Sequence, residues 1–367
     1  MAGCKEKYLS PVVRTTTGYL VLEGVINSGG EETKIKLSRT TYLSGGNAIN
    51  PEKGAMVKLE SNTNASFDLS ESSEGTYTIN NLQLDTSLQY RLNIKTNNGE
   101  EYLSDFARIR NNPPIDSISW VRENEGVQLY VNTHDPQNNT RYYQWEYKET
   151  WEFHSFFSAS LKYATPQPPF AGVIPRDIND PEIYTCWQYN SSSSILLGSS
   201  AKLNQDIIHL PLLFIENGSQ KLSVLYSVLL TQYSWSKQGY DFLERMKKNT
   251  ESLGSVFDAQ PSELNGNIHC VSNPGQPVIG FFNICTIQQN RIFIYRAQIP
   301  DWRFNESCYQ IVVENNPDSI AAKAAGMLPV SPEKYAGPST ILTFYAAPEY
   351  CVDCTLRGSN IKPIYWP

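Results

Sequence analysis

The chain has 367 residues, which is long enough for two or three domains with their own hydrophobic cores. A formal net charge of −7 and an isoelectric point near 5.3 argue against a nucleic-acid partner, because phosphate binding requires clustered Lys and Arg. The sequence has no apolar run of about 18 residues, so it predicts no membrane-spanning helix.

The first residues resemble the end of a bacterial lipoprotein signal. Ala2 and Gly3 are small residues of the kind that precede a lipid-modified cysteine, and Cys4 follows them directly. This interpretation makes Cys4 the lipid attachment site and residues 1–17 a lipoprotein N-terminus and tether. The alternative is a cytosolic protein with an accidental early cysteine.

Residues 18–110 alternate apolar and polar residues, as strands buried on one face do. Glycine-containing turns such as Asn98-Gly99 separate the alternating segments. About seven strands at this spacing predict an immunoglobulin-like or transthyretin-like β-sandwich. The alternating positions are Ile35/Leu37, Val57/Leu59, Phe67/Leu69, Tyr77/Ile79 and Tyr90/Leu92/Ile94.

After the stiff boundary Asn111-Asn112-Pro113-Pro114 the alternation resumes, so residues 111–367 are expected to form a second, larger β-rich domain of fibronectin type III character. The segment RYYQWEYKETWEFHSFF at 141–157 is its aromatic centre. Its odd positions, apart from Glu149, read as the core face of one strand, although exposed aromatics could also form a ligand platform. The aromatic odd positions are Tyr143, Trp145, Tyr147, Trp151 and Phe153.

One helix is predicted over residues 236–253, with Ser236 as its N-cap. Tyr240, Leu243 and Met246 fall on one side of this helix. Farther along, Val278–Ile287 and Arg291–Tyr295 are predicted to be two strands of one hairpin.

The Pro-rich insertion 154–181 is the longest predicted loop and the expected working surface, because binding residues concentrate on loops held by a rigid scaffold. It combines aromatic anchors with charge, which suits a ligand or a protein partner. The alternative is that its aromatic side chains fold back onto the domain. The candidate binding residues are His154, Phe156, Phe157, Tyr163, Phe170, Arg176 and Asp177.

Six cysteines remain besides Cys4, and an even number fits disulfides formed in an oxidising compartment. The pair in Cys351-Val-Asp-Cys354 is interpreted as two structural half-cystines, with a zinc site and a redox pair as alternatives. The expected pairings are Cys308 with Cys351 and Cys186 with Cys354. The full set of disulfide candidates is Cys186, Cys270, Cys285, Cys308, Cys351 and Cys354.

The sequence contains no motif of serine hydrolases, zinc peptidases, phosphate-binding loops or dinucleotide-binding folds. We therefore expect no catalytic residue, metal ligand or cofactor. A pair of glycosidase carboxylates could still be close in space without being close in sequence, so a hydrolase remains the least favoured alternative.

Four stretches together resemble the Bacteroidota outer-membrane lipoproteins of domain-of-unknown-function family 4249. These are AGCK at the start, YLVLEGVIN in the first sandwich, LYSVLLTQYSWSKQGYDFLERMKKNTESLGSVFDAQPSELNGNIHC in the middle and CVDCTLRGSNIKPIYWP at the end. The resemblance implies a lipid-anchored protein of the outer membrane that accompanies a TonB-dependent receptor. Lys5-Glu6 after the cysteine is similar to a short surface-export signal, although Lys7 departs from the fuller pattern.

The resulting functional expectation is a surface-exposed, non-catalytic binding or accessory subunit of a TonB-dependent transporter, held to the membrane through the lipid on Cys4. The main alternative is an architectural subunit of an outer-membrane protein assembly complex.

Overall fold

Twenty-four strands and three α-helices form the part of the chain that the computed structural model describes, namely residues 18–41, 49–165, 167–251 and 264–367. The fold is mainly β, as predicted. None of the helices in these residues is long and apolar enough to cross a membrane.

The first sandwich is a strongly curled sheet. Its strands run in the order β8-β7-β4-β5-β6-β2-β1, with β3 beside β2 and β9 beside β7. The predicted alternation is confirmed, since Ile35 and Leu37 are buried on β2 and pack with Val57 and Leu59 of β4. The strands are β1 (Leu20–Asn27), β2 (Thr33–Arg39), β3 (Asn50–Pro51), β4 (Met56–Ser61), β5 (Ser66–Ser73), β6 (Thr76–Ile79), β7 (Gln89–Lys95), β8 (Glu101–Ser104) and β9 (Ala107–Arg108).

Two short strands from much later in the chain extend this same sheet. β19 (Ile268–Cys270) pairs antiparallel with β8, and β20 (Ile284–Cys285) pairs parallel with β1. Their side chains join the core of the first sandwich, together with Val278 and Phe282. The segment expected in the second domain therefore completes the first.

The hairpin predicted between residues 278–287 and 291–295 is wrong. β20 leaves to pair with β1, whereas the following strand, β21 (Gln288–Tyr295), pairs with β18 (Leu225–Ser234) of the second sandwich. Two strand patterns that follow each other in the sequence usually indicate neighbouring strands. They do not reveal that the chain passes from one sheet to another between them.

The second sandwich stacks a three-stranded sheet, ordered β10-β11-β17, on a five-stranded one, ordered β15-β12-β18-β21 with β16 beside β12. The core side chains predicted on β12 are confirmed: Tyr143, Trp145 and Phe153 are fully buried, Trp151 is nearly so, and Tyr147 packs against the cluster. The additional strands are β10 (Ile115–Glu123), β11 (Gly126–Asp135), β12 (Tyr142–His154), β15 (Thr185–Ser191), β16 (Leu196–Ser199) and β17 (Asp206–Glu216).

Glu149 also lies on the buried face of β12, as the one carboxylate among its aromatic neighbours, and it is 1% exposed. Lys221 Nζ lies 2.7 and 2.8 Å from its two oxygens, and the hydroxyl of Tyr226 donates to it at 2.8 Å. Asn190 Nδ2 donates a further hydrogen bond at 2.8 Å. This satisfied ionic network lets a charge occupy the sandwich interior.

The helix predicted over 236–253 is confirmed as α1 (Lys237–Glu251); residues 252 and 253 lie outside the described residues. Ser236 Oγ accepts a hydrogen bond from the Gly239 amide at 3.0 Å, which is the expected N-cap contact. Tyr240, Phe242 and Leu243 are buried.

The Pro-rich insertion contains a short hairpin, β13 (Leu161–Tyr163) with β14 (Val173–Pro175), that packs on a third, C-terminal sheet. That sheet has the order β22-β24-β23 and was not predicted as a separate unit. Two short helices accompany it. These elements are β22 (Ile311–Glu314), α2 (Pro317–Lys323), β23 (Met327–Ala336), β24 (Thr340–Pro348) and α3 (Glu349–Val352).

Both expected disulfides are present, Cys186–Cys354 and Cys308–Cys351. Each cysteine of the CxxC motif is therefore bonded to a distant partner, which leaves no thiol pair for zinc or redox chemistry. Cys270 and Cys285 are buried free thiols, so their inclusion among the disulfide candidates was wrong. They lie on β19 and β20, at the two ends of the strand order of the first sheet.

Candidate functional site

A cleft with a volume of about 670 Å³ lies between the two sandwiches. β1 and β2 supply one wall, and β12 and β18 supply the other. Helix α1 and residues 279–281 close the floor. A cleft between two rigid units is a common location for a ligand site, because the sheets hold their side chains in place while the space between them stays open.

The walls of the cleft are polar and carry both signs of charge. On β12 the positions that alternate with the core residues point to this side, namely Gln144, Glu146 and Lys148. Across the cleft, Glu23 of β1 is the register partner of Lys36 on β2. None of the ion pairs within 4 Å among the described residues involves Lys36 or Lys148, so both ammonium groups are available to a ligand.

The floor of the cleft is aromatic. The rings of Trp235 and Phe281 lie 6.1 Å apart, and those of Phe242 and Phe281 lie 5.8 Å apart. Trp235 is only 5% exposed, and its indole Nε1 has no hydrogen-bond partner among the described residues. Trp235 therefore contributes an apolar ring to the floor, and its N–H is not accessible from the cleft surface.

Tyr233 and Glu146 form a polar contact within the wall made by β12 and β18. The tyrosine hydroxyl donates to Glu146 Oε2 at 3.1 Å. Burial raises the pKa of Tyr233, and the neighbouring Glu146 charge raises it further. Tyr233 therefore stays protonated at neutral pH and holds the carboxylate in one orientation.

Gly280 shapes the floor because no side chain fits at its position. Its φ of +150° lies in a region that residues with a Cβ rarely adopt, and a Cβ there would lie 2.7 Å from the carbonyl oxygen of Leu22. The close approach seats residues 279–281 against β1, where Leu22 N donates to Ile279 O at 2.8 Å.

The cleft continues along β12 as a second cavity of about 410 Å³, which ends at residues 191–195. The two cavities share both walls, including Glu23, Lys36, Glu146 and Lys148. Together they form a groove along β12.

The predicted binding residues of the insertion do not line this cleft. Tyr163 and Phe170 stack at 4.0 Å and pack against the C-terminal sheet, where the Tyr163 hydroxyl donates to Met327 O at 3.0 Å. Phe157 packs beside Cys351, whereas Phe156 is 48% exposed. Most of the insertion's aromatic surface is thus turned inward, which is the arrangement that the alternative interpretation describes.

The polar members of the predicted set make local contacts. His154 stacks on Tyr184 with ring centroids 4.6 Å apart. The guanidinium of Arg176 donates to the carbonyl of Pro181, and an oxygen of Asp177 accepts from the amide of Asn179 at 2.7 Å. Cys4, the predicted lipidation site, lies outside the described residues.

Sequence reasoning missed the cleft residues on β12. Their polar alternation was recognised, but the same pattern is typical of any strand with a solvated outer face. Only the tertiary arrangement places β1 and β2 opposite them.

The fold and the cleft define a class: a protein of two β-sandwiches with an amphipathic groove between them and a disulfide-linked C-terminal sheet. Residues 6–291 match the family described as Domain of unknown function (DUF4249). The chain belongs to this family, and the matched region includes both walls of the cleft. No curated protein matches the chain.

Proposed function

We propose that this protein is a lipid-anchored binding protein of the outer membrane that holds an amphipathic ligand in the cleft between its sandwiches and serves a TonB-dependent transporter. The observation that carries the proposal is the composition of the groove. Charges of both signs line its walls, and aromatic rings form its floor.

These features favour a ligand with groups of both charges and apolar parts. Lys36 and Lys148 are suited to carboxylates, Glu23 and Glu146 to amino groups, and the floor around Trp235 to an apolar portion. A short peptide combines all of these. We therefore favour peptide-like nutrients or an extended segment of the transporter as the occupant.

The anchoring part of the proposal depends on the sequence. Ala2-Gly3-Cys4 and the charged residues that follow support lipidation of Cys4, and the outer-membrane location is what the sequence resemblance implies. A lipid on Cys4 would hold the sandwiches at the membrane surface, and Lys5-Glu6 after it supports display on the cell exterior.

Photo-crosslinking in the native membrane tests the proposal. A crosslinking residue at Thr231, inside the cleft, is expected to capture a TonB-dependent barrel or a peptide. The control position is Ser66, an exposed residue at the start of β5 that does not line the cleft. A crosslinking residue there is expected to capture neither. Capture of a barrel-assembly factor from Thr231 would instead support the architectural alternative, and equal products from both positions would contradict a role for the cleft.

A further inference from the structure

A second groove, of about 470 Å³, lies where the linker between the sandwiches meets the start of α1. Residues 108–113 line it, together with Asp135, Gln137, Asn139, Thr140, Arg141, Tyr142, Ser234, Trp235 and Lys237. Trp235 is the one lining residue that it shares with the interdomain cleft. The groove is therefore a separate site at the domain junction.

This groove concentrates positive charge in a protein whose net charge is −7. Four cationic side chains line it, from Arg108, Arg110, Arg141 and Lys237, against the single carboxylate of Asp135. Among the described residues, none of the three arginines takes part in an ion pair within 4 Å, whereas Lys237 pairs with Asp241 at 2.7 Å.

Asp135 does little to neutralise the arginines, because its own loop already occupies its oxygens. The carboxylate accepts hydrogen bonds from the backbone amides of Gln137, Asn139 and Thr140, at 2.9, 2.8 and 2.8 Å. This arrangement closes the turn after β11.

The backbone holds the arginines on rigid elements. Arg110 N donates to Ile284 O at 3.1 Å, and its carbonyl accepts from Thr286 N at 3.0 Å. Arg108 lies on β9 as the partner of Gln89 on β7. Partial desolvation lowers the pKa of Arg110, while the residue remains exposed to solvent and can meet a ligand.

We propose that this groove binds a phosphate-type oxyanion, as a phosphate group of a soluble compound or of a lipid head group. The guanidinium groups of Arg108 and Arg110 offer planar pairs of N–H donors that match the oxygens of a tetrahedral anion. Arg141 adds a third positive charge, although its Nη1 already donates to the carbonyl oxygens of Ser200 and Leu203 at 3.4 and 3.3 Å. Helix α1 begins at Lys237 beside them and carries no acidic residue in its first turn, so its positive end adds to the field. Low-dielectric walls focus such a field on a small ligand.

Calorimetric titration of the non-lipidated full chain with inorganic phosphate and pyrophosphate tests the proposal. The double variant Arg108→Gln/Arg141→Gln is expected to bind pyrophosphate at least about tenfold more weakly than the unmodified chain, and added salt is expected to weaken binding by the unmodified chain. The single variant Arg110→Gln provides a second test, and thermal melts by circular dichroism verify folding of each variant.

The matched control is Lys95→Gln/Arg303→Gln, which removes two exposed cations outside the groove. Lys95 lies at the opposite end of β7 from Gln89, the partner of Arg108. The control is expected to keep the affinity within about twofold. Equal losses in control and groove variants would overturn the proposal, as would the absence of saturable binding of either probe at about 10 mM.

Flotation with vesicles distinguishes the two sources of phosphate. If phosphatidylglycerol vesicles retain the unmodified chain but not Arg108→Gln/Arg141→Gln, while phosphatidylcholine vesicles retain neither, the groove binds a lipid head group. If pyrophosphate binds in a groove-dependent way and vesicle retention does not depend on the groove, the site serves a soluble phosphorylated compound. Either result supports the oxyanion site.

Discussion

The first sandwich and the C-terminal sheet are completed by different means. In the first sandwich, twenty buried residues share one core, and the distant strands β19 and β20 join it without a covalent link, although each carries a cysteine. The C-terminal sheet centres on eight buried residues. Close to this sheet, Cys354 is bonded to Cys186 on β15 of the second sandwich, and Cys351 is bonded to Cys308. A large core holds remote segments by burial alone, whereas a small one benefits from covalent links.

The largest expected effect comes from removing Cys186–Cys354. Its cysteines are 168 residues apart, so in the chain-entropy model their bond contributes about 5 kcal/mol. Cys308–Cys351, with a separation of 43, contributes about 4 kcal/mol. We expect Cys186→Ala/Cys354→Ala to lower the free energy of unfolding more than Cys308→Ala/Cys351→Ala does, as measured by urea denaturation.

Hydrogen exchange of the same variants tests the comparison between regions. Amide protection is expected to fall in β22, β23 and β24 and to persist in β1, β2 and β4, whose core contains no disulfide. A uniform loss of protection over both regions would show that the first sandwich also depends on the covalent links.

The next largest effect is expected at Gly280, where the returning segment meets β1. Gly280→Ala places a Cβ 2.7 Å from Leu22 O and 2.9 Å from Leu22 Cβ, at a φ that alanine rarely adopts. We expect a loss of about 3 kcal/mol in the free energy of unfolding, measured by urea denaturation.

Gly99→Ala is the matched control for Gly280→Ala. Gly99 also has a positive φ, of +87°, but a Cβ there would meet no atom within 4 Å. Only backbone strain of about 1 kcal/mol is expected. Equal free energies of unfolding for the two variants would contradict the expected contribution of the close approach between residues 279–281 and β1.

The smallest expected effect concerns ionic contacts in the first sandwich. Burial by itself raises the pKa of Glu100, but hydrogen bonds from Tyr102 and Asn98 and the charge of Arg39 lower it overall. A carboxylate with a lowered folded-state pKa stabilises the fold above its unfolded-state pKa of about 4.3, and loses this effect as the pH falls through the folded-state value.

The difference in melting temperature between the unmodified chain and Glu100→Gln is therefore expected to be largest at neutral pH and to decrease below about pH 4. Glu31→Gln, which changes an exposed carboxylate of the same sandwich, controls for the loss of one charge. A difference for Glu100→Gln that stayed constant down to strongly acidic pH would contradict this account.

Much of the secondary structure could be predicted because its signals are local. The alternation through Ile35 and Leu37 or through Tyr143 and Trp145 depends only on which face of a strand is buried, and Ser236 caps α1 within three residues of its own position. The two disulfide pairs were also expected, but the even count of cysteines misled for Cys270 and Cys285. A buried thiol packs as a small apolar side chain, and residue counting cannot distinguish it from a half-cystine.

The sequence by itself determined that this protein is mainly β, where its first sandwich and main helix lie, and which face of β12 enters the core. Tertiary structure decided that β19 and β20 complete the first sandwich, that β13 and β14 pack on a C-terminal sheet, and that Gln144, Glu146 and Lys148 face β1 and β2 across a cleft. The physical reason is that periodicity records whether a side chain is buried or exposed, whereas the partner of an exposed polar face depends on contacts between residues far apart in the chain.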